Sequence, residues 1–202
     1  MDELRIDVVE DTDAGELLTV RRAAFVTEAQ LYDDPHIPAL TQTLDELRED
    51  LARPDVVTLA AWAGPRMIGS VRVGLEEDRA LLGRLAVVPD LQGQGIGTKL
   101  LMSVLSYLPE QTKEVWVFTG QDSKQNLSLY AKHGFEHQYD QNAGDLTYAY
   151  LRKILGEMEV ESGPGTDEAS GDDVDEIVGD DTVEGSGASA PSRSSTTPDR
   201  TV

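Results

Sequence analysis

The chain predicts an α+β fold in which a mixed, mostly antiparallel sheet is flanked by helices. Three observations carry that expectation. The segment Leu81-Leu82-Gly83-Arg84-Leu85-Ala86-Val87-Val88 is a nearly continuous apolar run of strand length, which suits a strand covered on both faces, and Pro89 stops it. Directly after it comes a glycine-rich turn, Gln92 to Thr98. Beyond the turn Ile96, Leu100, Leu101, Val104, Leu105 and Leu108 recur at helical spacing until Pro109. A second strand, Glu114 to Phe118, then feeds a second helix, Ser123 to His133.

The remaining segments fill in around this centre. Leu4 to Val9 alternates apolar and polar and reads as a first strand. Asp11 or Asp13 can cap a helix of about five turns that carries Leu17, Leu18, Val20, Ala23, Ala24, Phe25 and Ala29. Asp33-Asp34-Pro35-His36 breaks it. Thr43 with Glu46 three residues later is a capping box for a short helix through Leu44, Leu47 and Leu51 to Ala52. Val56–Trp62 and Met67–Val73 form a hairpin across Ala63-Gly64-Pro65-Arg66, and Glu136–Tyr139 pairs with Thr147–Ile154 at the end. The order is strand, two helices, three strands, helix, strand, helix, two strands.

Chemistry concentrates in the glycine turn. Glycines remove side chains where peptide N–H groups must approach a ligand, and the helix that starts there aims its positive dipole end at the same spot. A pyrophosphate suits such a place. The dinucleotide fingerprint fails, because Thr98 stands where the third glycine belongs and Glu114, at about the expected separation, begins a strand rather than ending one. The P-loop pattern fails as well, since Thr98 precedes Lys99. What fits is Q-x-x-G-x-G from Gln92 to Gly97, preceded by Leu85-Ala86-Val87-x-Pro89.

That arrangement resembles the acetyl-CoA-binding motif of the GCN5-related N-acetyltransferases. Ser123-x-x-Asn126-x-x-Leu129-Tyr130-Ala131-Lys132-His133-Gly134-Phe135 looks like the same family's second signature. The resemblance implies a domain over 1–156 that uses acetyl-CoA as co-substrate. The turn from Gly93 through Gln94, Gly95, Ile96 and Gly97 to Thr98 would hold the pyrophosphate. Leu85, Ala86 and Val87 would bind the pantetheine arm, with an N–H near Val87 facing the acetyl oxygen; a donor so placed is worth about 3 kcal/mol in the transition state. Gln92 is either a ligand contact or a brace for the turn. Tyr130 stands where the family protonates the departing thiolate, and either Ser123 or Asn126 would contact the pantetheine. The carboxylates that many relatives place on the central strands fall here at Leu81 and Phe118, neither acidic. A base would therefore be water or one of Glu28, Tyr32, Asp33 and Asp34 around the end of the first helix.

The implied activity is transfer of an acetyl group to a primary amine by direct attack in a ternary complex, and the chain has no cysteine to carry a covalent acetyl group. The alternative is a non-catalytic acyl-CoA sensor of the same fold. A formal net charge of −21 disfavours nucleic acid as a partner and makes a cationic acceptor attractive. The charge divides into 13 acids and two bases in 157–202 and 25 acids and 15 bases in 1–156, a balance consistent with a high-salt habitat. Residues 157–202, rich in Gly, Ser and Asp and without an aromatic, are expected to form a disordered acidic tail, solvated or offering Asp172–Val183 to a partner. His36, His133 and His137 lack metal-site spacing. With no apolar run of membrane-spanning length and no signal-peptide pattern at Met1–Arg5, a soluble cytoplasmic protein is expected, and a homodimer is compatible with it.

Overall fold

The computed structural model describes residues 4–143 and 146–156; the expected tail, 157–202, lies outside them. The elements run β1 (Leu4–Val8), α1 (Ala14–Leu31), α2 (Pro38–Thr41), α3 (Leu44–Leu51), β2 (Val56–Ala63), β3 (Arg66–Glu76), β4 (Arg79–Val87), α4 (Ile96–Ser106), β5 (Glu114–Gly120), α5 (Lys124–Lys132), β6 (Glu136–Ala143) and β7 (Leu146–Ile154). All seven strands join one sheet in the order β1-β2-β3-β4-β5-β7-β6. Only β4 and β5 pair in parallel; the other neighbours are antiparallel. The fold is thus the mixed, mostly antiparallel sheet flanked by helices that the sequence predicts.

Local chemistry explains most boundaries. At α3 the Thr43 hydroxyl accepts the Glu46 N–H at 3.2 Å while the Glu46 carboxylate accepts the Thr43 N–H at 2.7 Å, the reciprocal pair expected of this box. At α1 neither aspartate caps the helix through its side chain. A short 3-10 turn, Asp11–Asp13, intervenes, and the Asp13 carboxylate turns back to accept the Glu10 N–H at 3.2 Å. The core forms where α4 lies on the sheet. Leu100, Leu101 and Val104 are fully enclosed against Leu82 of β4 and Val71 and Val73 of β3. Each leucine so buried contributes about 1.5–3 kcal/mol. Among the described residues no helix is long and apolar enough to cross a membrane.

Three features differ from the sequence expectation. The four-residue α2 follows the Pro35 break, where Pro38 opens a turn too short to show periodicity. Helix α4 stops at Ser106, one turn's fraction before Leu108, with Tyr107 as its C-cap. The central strand β4 alternates rather than being covered evenly. Ala80, Leu82, Arg84 and Ala86 are buried, and Leu81, Gly83, Leu85 and Val87 are only half-buried. A continuous apolar run therefore conceals one face left open toward a cleft.

Candidate active site

The cleft begins where β4 and β5 part. Their parallel pairing covers Arg79–Leu82 against Glu114–Val117 and then ends. Strand β5 continues to Gly120 bonded to β7, while β4 runs on to Val87. A bulge starts the divergence: between the pairs Arg72↔Gly83 and Ser70↔Ala86, Arg84 and Leu85 stand opposite the single residue Val71. Arg84 takes φ = +50°, a left-handed conformation uncommon outside glycine. A bulge of this kind twists its strand and re-aims a side chain. Beyond it the backbone of Leu85 to Val87 faces the opening without a partner strand on the β5 side.

At the far end of β4 the chain makes a 3-10 turn, Pro89–Leu91, and then the glycine turn. Gly93 and Gly95 hold φ of +75° and +81°, and Gly95 caps α4 without any side-chain hydrogen bond. The first N–H groups of α4 have no carbonyl within the helix to bond. Nothing lies within 4 Å of a Cβ built on either glycine. They are glycine for their backbone angles and for the ligand space, not because neighbours crowd them. The Gln92 amide donates to the Val87 carbonyl at 3.0 Å, so Gln92 braces the turn against the strand.

These parts enclose a cleft of about 580 Å³ running from α1 across β4 to the turn and α5. Of the residues singled out from the sequence, Leu85, Ala86, Val87, Gln92, Gly93, Gly95, Ile96, Gly97, Thr98, Ser123 and Asn126 line it; Gln94 and Tyr130 do not. The Asn126 amide donates to the Thr119 hydroxyl at 3.3 Å, tying α5 to β5. Ser123 is the N-cap of α5 and makes no side-chain capping bond. Sequence reasoning passed over Lys124 and Lys132, which give the α5 wall two cationic side chains.

Tyr130 is 4% exposed, with its ring tilted against Phe135 at 5.6 Å. Burial, and then the Glu28 carboxylate, push its phenol well above the ordinary value, so it stays protonated at neutral pH. Glu28 lines the cleft from α1, and burial raises its carboxyl while the Arg84 charge opposes the rise. Its charge is also felt by Tyr32 and Tyr148. The other base candidates are engaged elsewhere or lie away from the cleft. The Tyr32 hydroxyl accepts the Asp122 N–H at 3.2 Å, and Asp34 accepts the His36 N–H at 2.8 Å. Asp33 is exposed.

A second, charged feature lies behind the bulge. Arg72 of β3 forms a bidentate pair with Asp50 of α3, both bonds at 2.6 Å. Arg21 of α1 is 1% exposed and Arg84 7% exposed, and both sit within electrostatic reach of that pair. Burial, then the Arg84 charge, brings the Arg21 guanidinium down to about 9; burial, then Arg72, brings Arg84 down to about 10. Both remain cationic at neutral pH. Nε, Nη1 and Nη2 of Arg21 have no hydrogen-bond partner among the described residues, and nor do the buried hydroxyls of Thr58 and Ser70. A small cavity of about 20 Å³ opens among Asp50, Arg72, Arg84, Gln42, Leu81 and Phe118. The sequence held two traces of this cluster: an arginine interrupting the apolar run of β4, and another on the Leu17–Leu18 face of α1. Among the described residues no group of three His, Cys, Asp or Glu side chains could hold a metal.

The site thus joins a splayed parallel pair, a central bulge and a glycine turn at a helix N-terminus. The profile of the Acetyltransferase (GNAT) family matches residues 25–135, more than half of the chain, and the chain belongs to that family. It is 28% identical over 131 residues to the UPF0157 protein YqkA of Bacillus subtilis, a stretch covering 63% of this chain and 36% of that protein, so the chain spans about a third of that relative. Among solved structures it is similar to the PaiA N-acetyltransferase of Thermoplasma acidophilum in complex with coenzyme A, at a TM-score of 0.67 and 21% identity over 76% of this chain and 99% of that one. The ribosomal-protein-S18-alanine N-acetyltransferase of Escherichia coli aligns at a TM-score of 0.64 and 16% identity over 78% and 99%. A spermidine N-acetyltransferase chimera from Vibrio cholerae and hSSAT aligns at 0.60 and 16% over 76% and 96%. At these identities the structures share the fold.

Proposed function

We propose that the protein transfers the acetyl group of acetyl-CoA to a primary amine by direct attack in a ternary complex. The observation that carries this reading is the cleft itself. The backbone of Leu85–Val87, unpaired on the β5 side, and the turn from Gly93 to Thr98 line the same opening. The residues fit the co-substrate: positive-φ glycines and the free N–H groups of α4 suit a pyrophosphate, and the strand edge suits the amides of a pantetheine arm. Lys124 and Lys132 add charge on the same side.

Acetyl-CoA supplies an activated thioester. In the reaction an N–C bond to the amine forms as the C–S bond breaks; the amine must shed its extra proton before attack, and the thiolate takes up one as it leaves. Glu28 is the group best suited to accept the first proton, since it lines the cleft and burial makes it more basic than an ordinary carboxylate. Tyr130, kept protonated and within the field of Glu28, is suited to supply the second. Its ring is packed against Phe135 rather than lining the cleft, which favours a second reading, a non-catalytic acyl-CoA sensor.

Calorimetric titration with acetyl-CoA, followed by thiol release from a panel of amines, tests both readings. Binding with amine-dependent release is expected. Binding without release from any amine would favour the sensor, and no binding would remove the basis of either reading.

A further inference from the structure

The arginine cluster carries more charge than its surroundings balance. Arg21, Arg72 and Arg84 converge from α1, β3 and β4, and the carboxylate within the cluster is Asp50, whose two oxygens are both bonded to Arg72. Glu28, near enough to feel the Arg84 charge, makes a second carboxylate against three guanidiniums. Arg21 is enclosed with all three guanidinium nitrogens unpartnered among the described residues. Buried charges are normally paired, because desolvating one without compensation is expensive. The wall is also polar where a hydrophobic core would be cheaper, with Ser70 and Thr58 buried and unbonded on the strands beside Arg72. Arg84, besides, takes a left-handed conformation at the bulge and lines the cavity.

We infer that the acceptor amine bears a carboxylate, as a free amino acid does, and that Arg84 receives it in the cavity beside Phe118, with Arg72 and Arg21 supplying the charge behind. The inference rests on the acetyltransferase reading for the amine, and on the cluster alone for the carboxylate. Arg84 and Glu28 are close enough to shift each other's titration. Glu28 lines the cleft from α1 and Arg84 the cavity from β4, so the acceptor presents its amine to the one and its carboxylate to the other. The cavity admits a group of a few atoms, a carboxylate head rather than a whole ligand. Phe118 starts a stacked row with Tyr150 at 5.2 Å and Tyr139 at a further 4.7 Å, which gives the rest of the acceptor an aromatic surface. The net charge points to a cationic acceptor, and the cluster adds a carboxylate to that amine. The chain is strongly acidic as a whole, yet its buried charge beside the cleft is positive.

The test pairs each ligand with its own carboxamide. With coenzyme A present, calorimetry would measure binding of N-acetylalanine, N-acetylmethionine and N-acetylphenylalanine against the three matching amides, and thiol release would be followed in parallel with the unacetylated amino acids and their amides. At least one carboxylate is expected to bind about a hundredfold more tightly than its amide. Arg84→Gln should abolish the preference and leave acetyl-CoA affinity unchanged, and Arg84→Lys should restore part of it. Should Arg84 variants fail to fold, Arg21→Met removes the unpartnered guanidinium away from the cavity wall and should reduce the preference about tenfold. Carboxylate and amide binding within threefold of each other, binding of neither, or a preference unmoved in every folded variant would overturn the subsite, even if amines release thiol. A carboxylate preference that survives without thiol release from any amine would instead overturn the transferase reading and leave the anion subsite standing.

Discussion

The glycine turn and the arginine cluster are both places where this acidic protein presents positive charge, and they are made in opposite ways. The turn uses backbone. Gly93, Gly95 and the first residues of α4 form one contiguous stretch, and the charge is the partial charge of amide groups that no side chain covers. The cluster uses full charges on four side chains drawn from α1, α3, β3 and β4, more than 60 residues from first to last. Backbone amides cost nothing to desolvate beyond what every helix start already leaves open. Buried guanidiniums must be balanced, and Asp50 is bonded to Arg72 alone. The turn should therefore tolerate changes in side chains but not in backbone freedom, and the cluster the reverse.

The largest expected effect breaks the cluster. Asp50→Ala leaves Arg72, and behind it Arg21 and Arg84, without their carboxylate, and loss of one partner of a buried pair costs about 3–5 kcal/mol; urea unfolding would read it. The pH dependence of the same measurement sharpens the point. Burial alone would raise the Asp50 carboxyl, but the hydrogen bond and charge of Arg72, with Arg21 and Arg53, hold it below its usual 3.8. A depressed folded value means that its stabilisation is complete above that range and is lost as pH falls through the folded value. The Asp50→Ala protein should lose that part of the acid limb.

Next in size is the chemistry that joins the two regions. Glu28→Gln is expected to lower kcat by about a hundredfold, a typical worth for a general base. With Glu28 as the base, the rate of the unaltered protein should rise with pH through an apparent value above the ordinary carboxylate range, because burial raises its carboxyl. The variant should lack that limb while binding acetyl-CoA as before. Tyr130→Phe makes the complementary cut: an enzyme loses rate with unchanged acetyl-CoA affinity, and a sensor is indifferent.

Smaller again is Gly95→Ala, which forces an alanine to φ near +81° at a cost of about 1–2 kcal/mol. Acetyl-CoA affinity should fall about tenfold in calorimetry while any carboxylate preference survives, since the cluster is untouched. Smallest of all is Arg66→Ala. It removes a bidentate pair with Asp90, both bonds at 2.8 Å, on side chains more than half exposed to solvent. Its urea midpoint should not move measurably.

Much of the molecule was legible in the chain because the signals are local. The capping box at Thr43 and Glu46, the apolar stripe of α4 and the left-handed glycines each lie within a few residues of one another, where backbone sterics and helix geometry act directly. The four-residue α2 escaped because it is shorter than the periodicity that reveals a helix. The apolar run of β4 misled for a different reason: hydrophobicity alone does not tell a face buried by a helix from one that lines a cleft.

The sequence by itself determined the elements apart from α2, their order and the glycine turn that opens α4, since each depends on neighbours along the chain. Resemblance singled out Tyr130, and the sequence displayed Glu28 as one of four base candidates. Only the tertiary structure decided that β4 and β5 separate after Leu82, that Glu28 alone of the four base candidates lines the cleft, and that Arg21, Asp50, Arg72 and Arg84 meet. Those outcomes depend on charges and strand edges brought together across the chain. Their energies come from burial in common surroundings, which no spacing along the sequence records.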